Sequence, residues 1–386
     1  MSDQNSILDK VMASKQVQDA SQFIPSEFVL KLLKNLNSKE REILTKRFGL
    51  DGNKKRTLEQ IGKDFQITRE RIRQVQMSAI KKIQEMQDLK EEIENIENLI
   101  SRTLEKNGGL MEENKLLEKL LNYSENSAQN KSAALFILEH LLEDGIEKIT
   151  KNEDILSGWR INILPKDKTL EVLNILHEII ETENKLVELH KLVEKFKNHS
   201  YYQENKHVFY PDLLKDKENG SGNGDFKKAI ESYLNISNKI DKNILEEWGL
   251  IKWPTIKPKR MSDKVYMILR KEEKPLHFKE IADYINKANF DAKIAHPATI
   301  HNELILNDKF VLIGRGIYAL QEWGYNPGTV AEVIVEILNK TENALLKEDI
   351  INKVLENRMV KKSTINLALT DKSKFKKLEN NTYIVI

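Results

Sequence analysis

The sequence predicts a mainly α-helical chain with small β-wings, in which one helix-turn-helix is followed by repeated three-helix modules. Two patterns support this fold class. Apolar residues recur at helical spacing on both sides of a short turn at Gln66-Ile67. Later in the chain, the order of helix, turn, two helices and short β-branched or aromatic strands recurs several times. With 386 residues, the chain has room for about three to five small domains.

Residues 57–83 predict the helix-turn-helix. Leu58, Ile61 and Phe65 lie at helical spacing before the turn, and Thr68 stands where an N-cap opens a second helix. The second helix has an apolar stripe for the core, made of Ile72, Val75, Ala79, Ile80 and Ile83. Its opposite face therefore presents polar side chains to solvent.

Four of these polar residues, Arg69, Glu70, Arg73 and Gln74, stand near the start of the second helix. In a recognition helix this part enters the major groove, where Arg pairs with guanine, Gln pairs with adenine and Glu accepts from cytosine. We therefore predict that the four residues contact DNA bases. The alternative is a solvated charged face, which the preceding helix and turn disfavour.

Residues 36–83, which include Leu36-Asn37-Ser38 and Arg47-Phe48-Gly49-Leu50, resemble region 4 of the sigma-70 family, the bacterial initiation factors. The resemblance implies that the four base readers recognise the upstream promoter hexamer, the minus-35 element. It also implies that the domain docks on the flap of the β subunit of the RNA polymerase core. The phosphate contacts that it implies lie at Lys39, Arg47, Thr57 and Thr68.

Other positions extend or depart from this pattern. Arg71 and Lys81, on the same helix as the base readers, are further candidates for phosphate contacts. Gln76 and Ser78 stand where the family usually has Glu and Lys. We expect these two departures to affect a phosphate contact and not the base readers.

The charges are distributed unevenly along the chain. Residues 39–82 carry 13 Lys and Arg against 6 Asp and Glu, a net charge of +7, whereas residues 91–180 carry 10 against 18, a net charge of −8. Attraction to phosphates therefore concentrates on the first domain. The acidic middle is either a solvated surface or a surface for a basic partner.

Residues 260–325 contain the clearest three-helix module. Leu276-His277-Phe278 opens its second helix, residues 296–304 form the third, and Gly314-Arg315-Gly316 turns between two short strands. This segment resembles the HARE-type helix-turn-helix, a winged-helix domain found in the delta subunit of bacterial RNA polymerase. The resemblance implies a winged helix that binds either nucleic acid or protein.

Within this module, His301, Asn302 and Arg315 are candidate contacts to nucleic acid, with capping or packing as the alternative for each. A further copy follows at residues 327–386. Its candidate phosphate contacts are Lys361 and Lys362, with Lys376 and Lys377 in its wing.

Two weaker winged-helix-like copies are predicted at residues 91–165 and 166–253. Three of the copies close on a tryptophan beside a glycine, namely Trp159, Trp248 and Trp323. We interpret these side chains as plugs between the wing and the helices of their own module, because an indole buries a large apolar area. Stacking on a base is the alternative.

The remaining segments are predicted to connect or flank these domains. Residues 25–90 form the region 4-like domain, residues 1–24 a flexible N-terminus, and residues 254–259 a hinge between modules. The Gly-rich residues 219–225 lack the Lys-Ser/Thr pair of a phosphate-binding loop and are predicted to be a flexible loop.

Several classes of protein are disfavoured. The absence of Cys excludes disulfides and thiolate metal sites, and the eight His have no metal-binding spacing. We therefore expect no enzyme, no cofactor and no metal. Residues 1–19 lack a signal-peptide core, and no apolar run approaches the roughly 20 residues of a membrane span. We expect no membrane contact and a cytoplasmic, nucleoid-associated protein.

Two functional hypotheses remain at this point. In the first, the chain is a transcription factor that binds double-stranded DNA at a minus-35-type element and acts with RNA polymerase. In the second, it is a delta-like accessory protein of RNA polymerase whose DNA affinity is incidental. Full initiation factors also carry an aromatic-rich segment that melts the promoter. The sequence contains no such segment, so we expect no promoter opening by this chain alone. The oligomeric state is left open.

Overall fold

In the computed structural model, the first described helices form the helix-turn-helix domain. The structure describes residues 23–87, 90–122, 124–142, 145–205, 222–325, 327–341 and 344–386. These residues are mainly helical with small antiparallel sheets, which confirms the predicted fold class. They belong to two units, Met1–Asp241 and Lys242–Ile386. The predicted flexible segment 1–24 lies outside the described residues except for its last two positions.

The described part of the first unit begins with four helices: α1 (Pro25–Lys34), α2 (Ser38–Phe48), α3 (Leu58–Phe65) and α4 (Arg69–Gln84). Asn37 and Thr57 form capping boxes at the starts of α2 and α3. The predicted N-cap Thr68 accepts a hydrogen bond from the Arg71 N–H at 3.2 Å. Ile43, Ile61 and Ile72 form the buried core that joins α2, α3 and α4.

The turn between α3 and α4 depends on two backbone features. Gln66 adopts the left-handed conformation, with φ 54°, and the Ile67 N–H donates to the Gly62 carbonyl at 3.0 Å. A Cβ atom on Gly62 would lie 2.8 Å from the Ile67 carbonyl oxygen. Only glycine therefore allows this close approach of the two chain segments.

A three-helix module with a small sheet follows. Its elements are α5 (Lys90–Glu105), β1 (Leu110–Glu112), α6 (Glu113–Leu120), α7 (Ala128–His140), β2 (Ile146–Ile149) and β3 (Gly158–Ile161). The antiparallel sheet has the order β1-β3-β2, and Met111 faces Trp159 in the β1–β3 register. Strand β1 has only three residues. Three residues are too few to show the alternation that identifies a strand.

The next elements are α8 (Lys166–Glu183), β4 (Val187–Glu188), α9 (Leu189–Asn198), α10 (Ser200–Glu204), α11 (Gly222–Ile236), β5 (Ile240–Lys242) and β6 (Glu247–Leu250). The loop predicted at residues 219–225 lies partly outside the described residues. From Gly222 onward that prediction is wrong, because residues 222–225 form the first turn of α11. A Cβ on Gly108 would lie 2.7 Å from the Ala229 side chain, so α11 packs closely on the turn before β1.

The second unit contains the module with the clearest sequence pattern. Its elements are α12 (Met261–Glu272), β7 (Leu276–His277), α13 (Phe278–Ala288), α14 (Pro297–Leu306), β8 (Phe310–Gly314) and β9 (Ile317–Leu320). The sheet order is β7-β9-β8, and Gly316, with φ 69°, forms the turn. Val265, Ile281, Ile300 and Tyr318 belong to one buried core.

The last module repeats this order with α15 (Val330–Thr341), β10 (Leu345–Leu346), α16 (Lys347–Asn357), α17 (Lys362–Ala368), β11 (Phe375–Lys377) and β12 (Thr382–Val385). Its sheet order is β10-β12-β11. The segment before α17 joins β8, because the Met359 N–H donates to the Ile313 carbonyl at 2.8 Å. The buried Arg358 donates to the carbonyls of Leu312 and Gly328.

The burial of the tryptophans agrees with their interpretation as plugs between the wing and the helices of their own module. Trp159 and Trp248 are each 2% exposed, which leaves no face for stacking on a base. Trp323 is partly buried against two apolar clusters of its own module. Near the predicted hinge at residues 254–259, Ile256 is buried and lies against Gly249. The hinge and the domain boundaries stay predictions.

Gly62→Ala tests the turn. The added methyl group meets a backbone oxygen that cannot move without opening the turn, and we expect a loss of about 1 to 3 kcal/mol in stability. Urea denaturation of the full chain measures this change, with the exposed helical substitution Ser78→Ala as the control. An unchanged midpoint for Gly62→Ala would show that the close approach does not exist.

Arg358→Met tests the join between the last two modules. The variant keeps an unbranched apolar stem but leaves two carbonyl groups without their charged donor, so we expect a loss of about 2 to 4 kcal/mol. Hydrogen exchange of peptides that cover residues 310–320 and 355–362 should become faster. The exposed wing substitution Arg315→Met is the control, and equal exchange in both variants would contradict the join.

Candidate nucleic-acid interface

The four predicted base readers lie together on the first two turns of α4. Arg69 and Arg73 are one turn apart, as are Glu70 and Gln74, and all four side chains are exposed. We call these four residues the reading face. The apolar core under Ile72 fixes the opposite side of the helix. The reading face is therefore presented to solvent by a buried scaffold.

Arg73 and Glu70 form an ion pair within the reading face. Arg73 Nε donates to Glu70 Oε2 at 2.9 Å and Nη2 donates to Oε1 at 2.7 Å. This hydrogen-bonded pair holds the pKa of Glu70 below its usual value and raises the pKa of Arg73. Both groups stay ionised near neutral pH. Because the pair is exposed to solvent, it contributes little stability and its hydrogen bonds can be exchanged for others.

Gln74 also has a partner on its own helix. Arg71 Nη1 donates to Gln74 Oε1 at 3.2 Å. Bidentate recognition of adenine uses both the oxygen and the nitrogen of a Gln amide. Arg71 therefore has to leave Gln74 Oε1 when that oxygen contacts a base. Sequence reasoning missed this pairing and assigned Arg71 to phosphate alone, although the i, i+3 spacing of the two residues permits it.

Three of the predicted phosphate contacts are accessible. Lys39 is exposed, with its ammonium 5.7 Å from the centroid of the Phe65 ring. Thr57 and Thr68 are exposed N-caps whose hydroxyl oxygens each accept one backbone N–H at 3.2 Å. The hydroxyl hydrogen of each Thr can still be donated to a phosphate. A helix N-terminus also favours negative charge.

The other two candidates on this domain differ from each other. Arg47 is half-buried and donates from Nη1 to the Arg56 carbonyl at 3.1 Å, so it stabilises the loop before α3. Lys81 is exposed on the second half of α4, and its ammonium lies 3.7 Å from the Glu85 carboxylate. Arg47 is thus partly a structural residue, while Lys81 projects into solvent.

An ion-pair network that sequence reasoning missed lies beside α3. Asp64 receives a hydrogen bond from Lys46 at 3.0 Å and two from Arg56 at 2.5 and 3.1 Å. These cations lower the pKa of Asp64, and the hydrogen bonds of Lys46 to Glu42 and then to Asp64 raise the pKa of Lys46. No local sequence signal links residues 46, 56 and 64, because they meet only in the folded domain.

The candidates in the second unit have varied surroundings. His301 is half-buried, with ring centroids 4.8 Å from Phe278 and 6.0 Å from Tyr318, which fits packing better than DNA contact. Asn302 and Arg315 are exposed. Lys361 and Lys362 are exposed at the start of α17, and Lys376 and Lys377 are exposed on β11.

Comparison with known proteins gives matches for the first domain. Residues 32–85 match the family model for sigma-70, region 4. An RNA polymerase sigma factor SigA from Clostridium acetobutylicum is 46% identical over 67 residues, which cover 17% of this chain and 18% of that protein. The SigA of Nostoc sp. is 46% identical over 54 residues, or 14% of each chain. The SigA of Lactococcus lactis subsp. cremoris is 47% identical over 53 residues, 14% of this chain and 15% of that protein.

The similarity is local. The chain spans less than a fifth of the length of these three relatives. No solved structure matches the chain significantly. In the described part of the chain, no helix is both long and apolar enough to cross a membrane. The region of similarity to sigma-70 region 4 contains the whole reading face and the turn that positions it.

Proposed function

We propose that this protein is a DNA-binding transcription factor that acts with bacterial RNA polymerase and recognises a minus-35-type promoter element. The single observation that supports this proposal best is the exposed reading face, which lies at the start of α4 within the region similar to sigma-70 region 4. A protein with this role works in the cytoplasm, on the DNA of the nucleoid.

In the proposed complex, α4 enters the major groove with its N-terminal end. Arg73 exchanges its bond to Glu70 for the O6 and N7 atoms of a guanine, and Gln74 pairs with an adenine. Glu70, released from Arg73, accepts a hydrogen bond from a cytosine amino group. Arg69 is positioned for a second guanine or for an adjacent phosphate.

Phosphate contacts fix the register of the helix on the duplex. We assign them to Lys39, Thr57, Thr68, Arg71 and Lys81, with Arg47 in a partly structural role. The net charge of +7 over residues 39–82 adds a sequence-independent attraction to DNA. The relatives are sigma factors of RNA polymerase by name. We extend this to a complex with the polymerase core through the β flap.

A delta-like accessory role remains the second candidate, and one observation in the second unit favours it. We propose a HARE-type winged helix for residues 260–325. The third helix of this module, α14, contains no Lys or Arg and exposes Ile305 and Leu306 at its end. Such a surface fits a protein partner better than phosphate. Asn302, Arg315, Lys361 and Lys362 stay candidate nucleic-acid contacts.

Core-binding and footprinting experiments separate the two candidates. Purified core RNA polymerase is pulled down with this chain, and the complex is footprinted on promoter fragments. Core binding with protection of an upstream hexamer supports a specificity factor. Core binding without a footprint supports the accessory role, and a footprint without core binding indicates a free-standing regulator.

Arg73→Ala with Gln74→Ala tests the base readers. Loss of the two bidentate contacts should weaken binding to the preferred hexamer by about 1 to 3 kcal/mol for each contact and relax the base preference at those positions. Binding to a scrambled duplex should change much less. The exposed Ser78→Ala variant is the control. If the ratio of specific to non-specific affinity stays the same, these residues do not read bases.

Lys39→Ala and Lys81→Ala test the phosphate contacts. Each variant should bind every DNA sequence more weakly, and the slope of log affinity against log salt should fall by about 1 per lost contact. Equilibrium binding between low and moderate salt measures the slope. Lys131→Ala, which changes an exposed lysine on the first three-helix module, should leave the slope unchanged.

A further inference from the structure

The last two modules are joined along β8. Arg358 is 4% exposed and donates to the carbonyls of Leu312 and Gly328. The Met359 N–H donates to the Ile313 carbonyl at 2.8 Å. Backbone and side-chain hydrogen bonds therefore hold the segment before α17 on a strand of the preceding module.

The wing turn at the end of β8 packs on this joint. A Cβ on Gly314 would lie 2.5 Å from the Met359 carbonyl oxygen, so the two chain segments touch through their backbones. Gly316 has a φ of 69°, and a Cβ there would lie 2.8 Å from His277 Nε2 of its own module. Arg315 lies between the two glycines and is exposed. Contacts on both sides therefore fix the position from which its side chain extends.

Two exposed lysines follow the joint directly. The backbone is extended at Arg358 and at Lys361, and Lys361 and Lys362 are exposed. Because consecutive Cα atoms are about 3.8 Å apart, the path through the contact of the wing turn places the Cα atoms of Arg315 and Lys361 at most about 15 Å apart. Duplex DNA carries one phosphate charge per roughly 1.7 Å of its axis. Cations at this separation therefore meet phosphates within a few base pairs of each other.

The two segments that meet at the joint are basic and contain no acidic residue. Residues 310–320 and 358–370 together contain four Lys and Arg and no Asp or Glu. In the whole chain, Asp and Glu account for 60 of 386 residues, so 24 residues without either acid form an unusual stretch of surface. The sequence does not show this combination, because the two segments lie far apart along the chain.

The protein itself does not neutralise the exposed cations. In the part of the chain that the structure describes, Arg315, Lys361 and Lys362 form no ion pair. Carboxylates on two adjoining helices have other partners, since Glu280 and Glu332 each accept a backbone N–H at the start of their own helix, at 2.9 and 2.6 Å. The three cations are therefore available to an external anion.

We propose that Arg315, Lys361 and Lys362 form one phosphate-binding surface for duplex DNA across the joint between the last two modules. We call these three residues the joint surface. It contacts the DNA backbone, so its contribution is independent of base sequence. A second attachment in the same chain raises the overall affinity for the duplex that the reading face binds. The choice of DNA as the polyanion rests on the proposed function.

Charge removal tests the joint surface. Arg315→Gln, Lys361→Gln and Lys362→Gln are combined in the full chain, and binding to a scrambled duplex is measured from low to moderate salt. We expect the slope of log affinity against log salt to fall by about 2 to 3. Lys271→Gln, which changes an exposed lysine at the end of α12, is the matched control and should keep the slope. An unchanged slope in the triple variant overturns the proposal.

Uncoupling variants test whether the two modules act as one surface. Arg358→Met removes the guanidinium that ties the segment before α17 to β8, and Gly314→Ala places a methyl group against the Met359 carbonyl. In the wild-type background, Arg315→Gln should weaken binding to the scrambled duplex by about threefold or more. In either uncoupled background the same change should have a smaller effect.

An equal effect of Arg315→Gln in all three backgrounds overturns the shared surface. Gly314→Ala is the milder of the two uncoupling changes, because it alters no hydrogen-bonding group. It therefore keeps the test decisive if Arg358→Met does not fold.

A crosslinker placed beside the three cations identifies what they contact. The chain contains no Cys, so Ser363→Cys gives a single attachment site for a photoreactive group and keeps the joint surface intact. Lys271→Cys gives the matched control. We expect crosslinks to the duplex from position 363 and not from position 271. Crosslinks from position 363 to an RNA polymerase subunit, and none to DNA, overturn the assignment to phosphate and indicate an acidic protein partner.

The results separate this inference from the proposed function. If the triple variant lowers the salt slope while Arg73→Ala with Gln74→Ala leaves base preference unchanged, the joint surface stands and the assignment of the base readers fails. If Arg73 and Gln74 determine base preference but the triple variant keeps the slope, base recognition stands and the joint surface does not bind DNA.

Discussion

The close approach between Gly62 and the Ile67 carbonyl is the constraint on which the candidate interface depends. It brings the end of α3 against the start of α4, and the left-handed conformation of Gln66 completes the turn. Ile43, Ile61 and Ile72 are then buried together. Because this core fixes the rotation of α4 about its own axis, the polar side chains at positions 69, 70, 73 and 74 must face solvent. The proposed base recognition therefore depends on a backbone contact that involves none of the predicted base readers.

In this structure the side chains of the reading face form hydrogen bonds with neighbours on their own helix. Arg73 pairs with Glu70, and Arg71 pairs with Gln74. These contacts hold the side chains close to the helix but are exposed to solvent, so water competes with them and the proposed exchange for bases would cost little free energy. The same pairs also keep Glu70 ionised, which preserves an acceptor for cytosine. Internal pairing thus orders the face and, under the proposed function, costs little affinity for DNA.

Much of the fold follows from local sequence patterns, and the remainder depends on contacts between distant residues. Helical periodicity and the N-cap at Thr68 predict α3 and α4, and the recurrence of one pattern predicts the later modules. Short strands such as Leu110–Glu112 carry too few residues for a periodic signal. The Arg71–Gln74 pair has permissive spacing but several alternatives. The contact of Phe48 with Phe136 joins residues 88 positions apart, and no local pattern encodes it.

The third helix of each module presents a different surface, because its exposed side chains determine what the helix can contact. Helix α7 buries most of its apolar side chains and packs against the region 4-like domain, with Lys131 and Glu139 exposed. Helix α14 is exposed but carries no basic residue, and its end presents Ile305 and Leu306. Helix α17 begins beside the exposed Lys361 and Lys362. A shared three-helix order therefore does not imply a shared DNA-binding role. The strongest case for sequence-specific recognition rests on α4, where a basic charge, an exposed face and a fixed turn coincide.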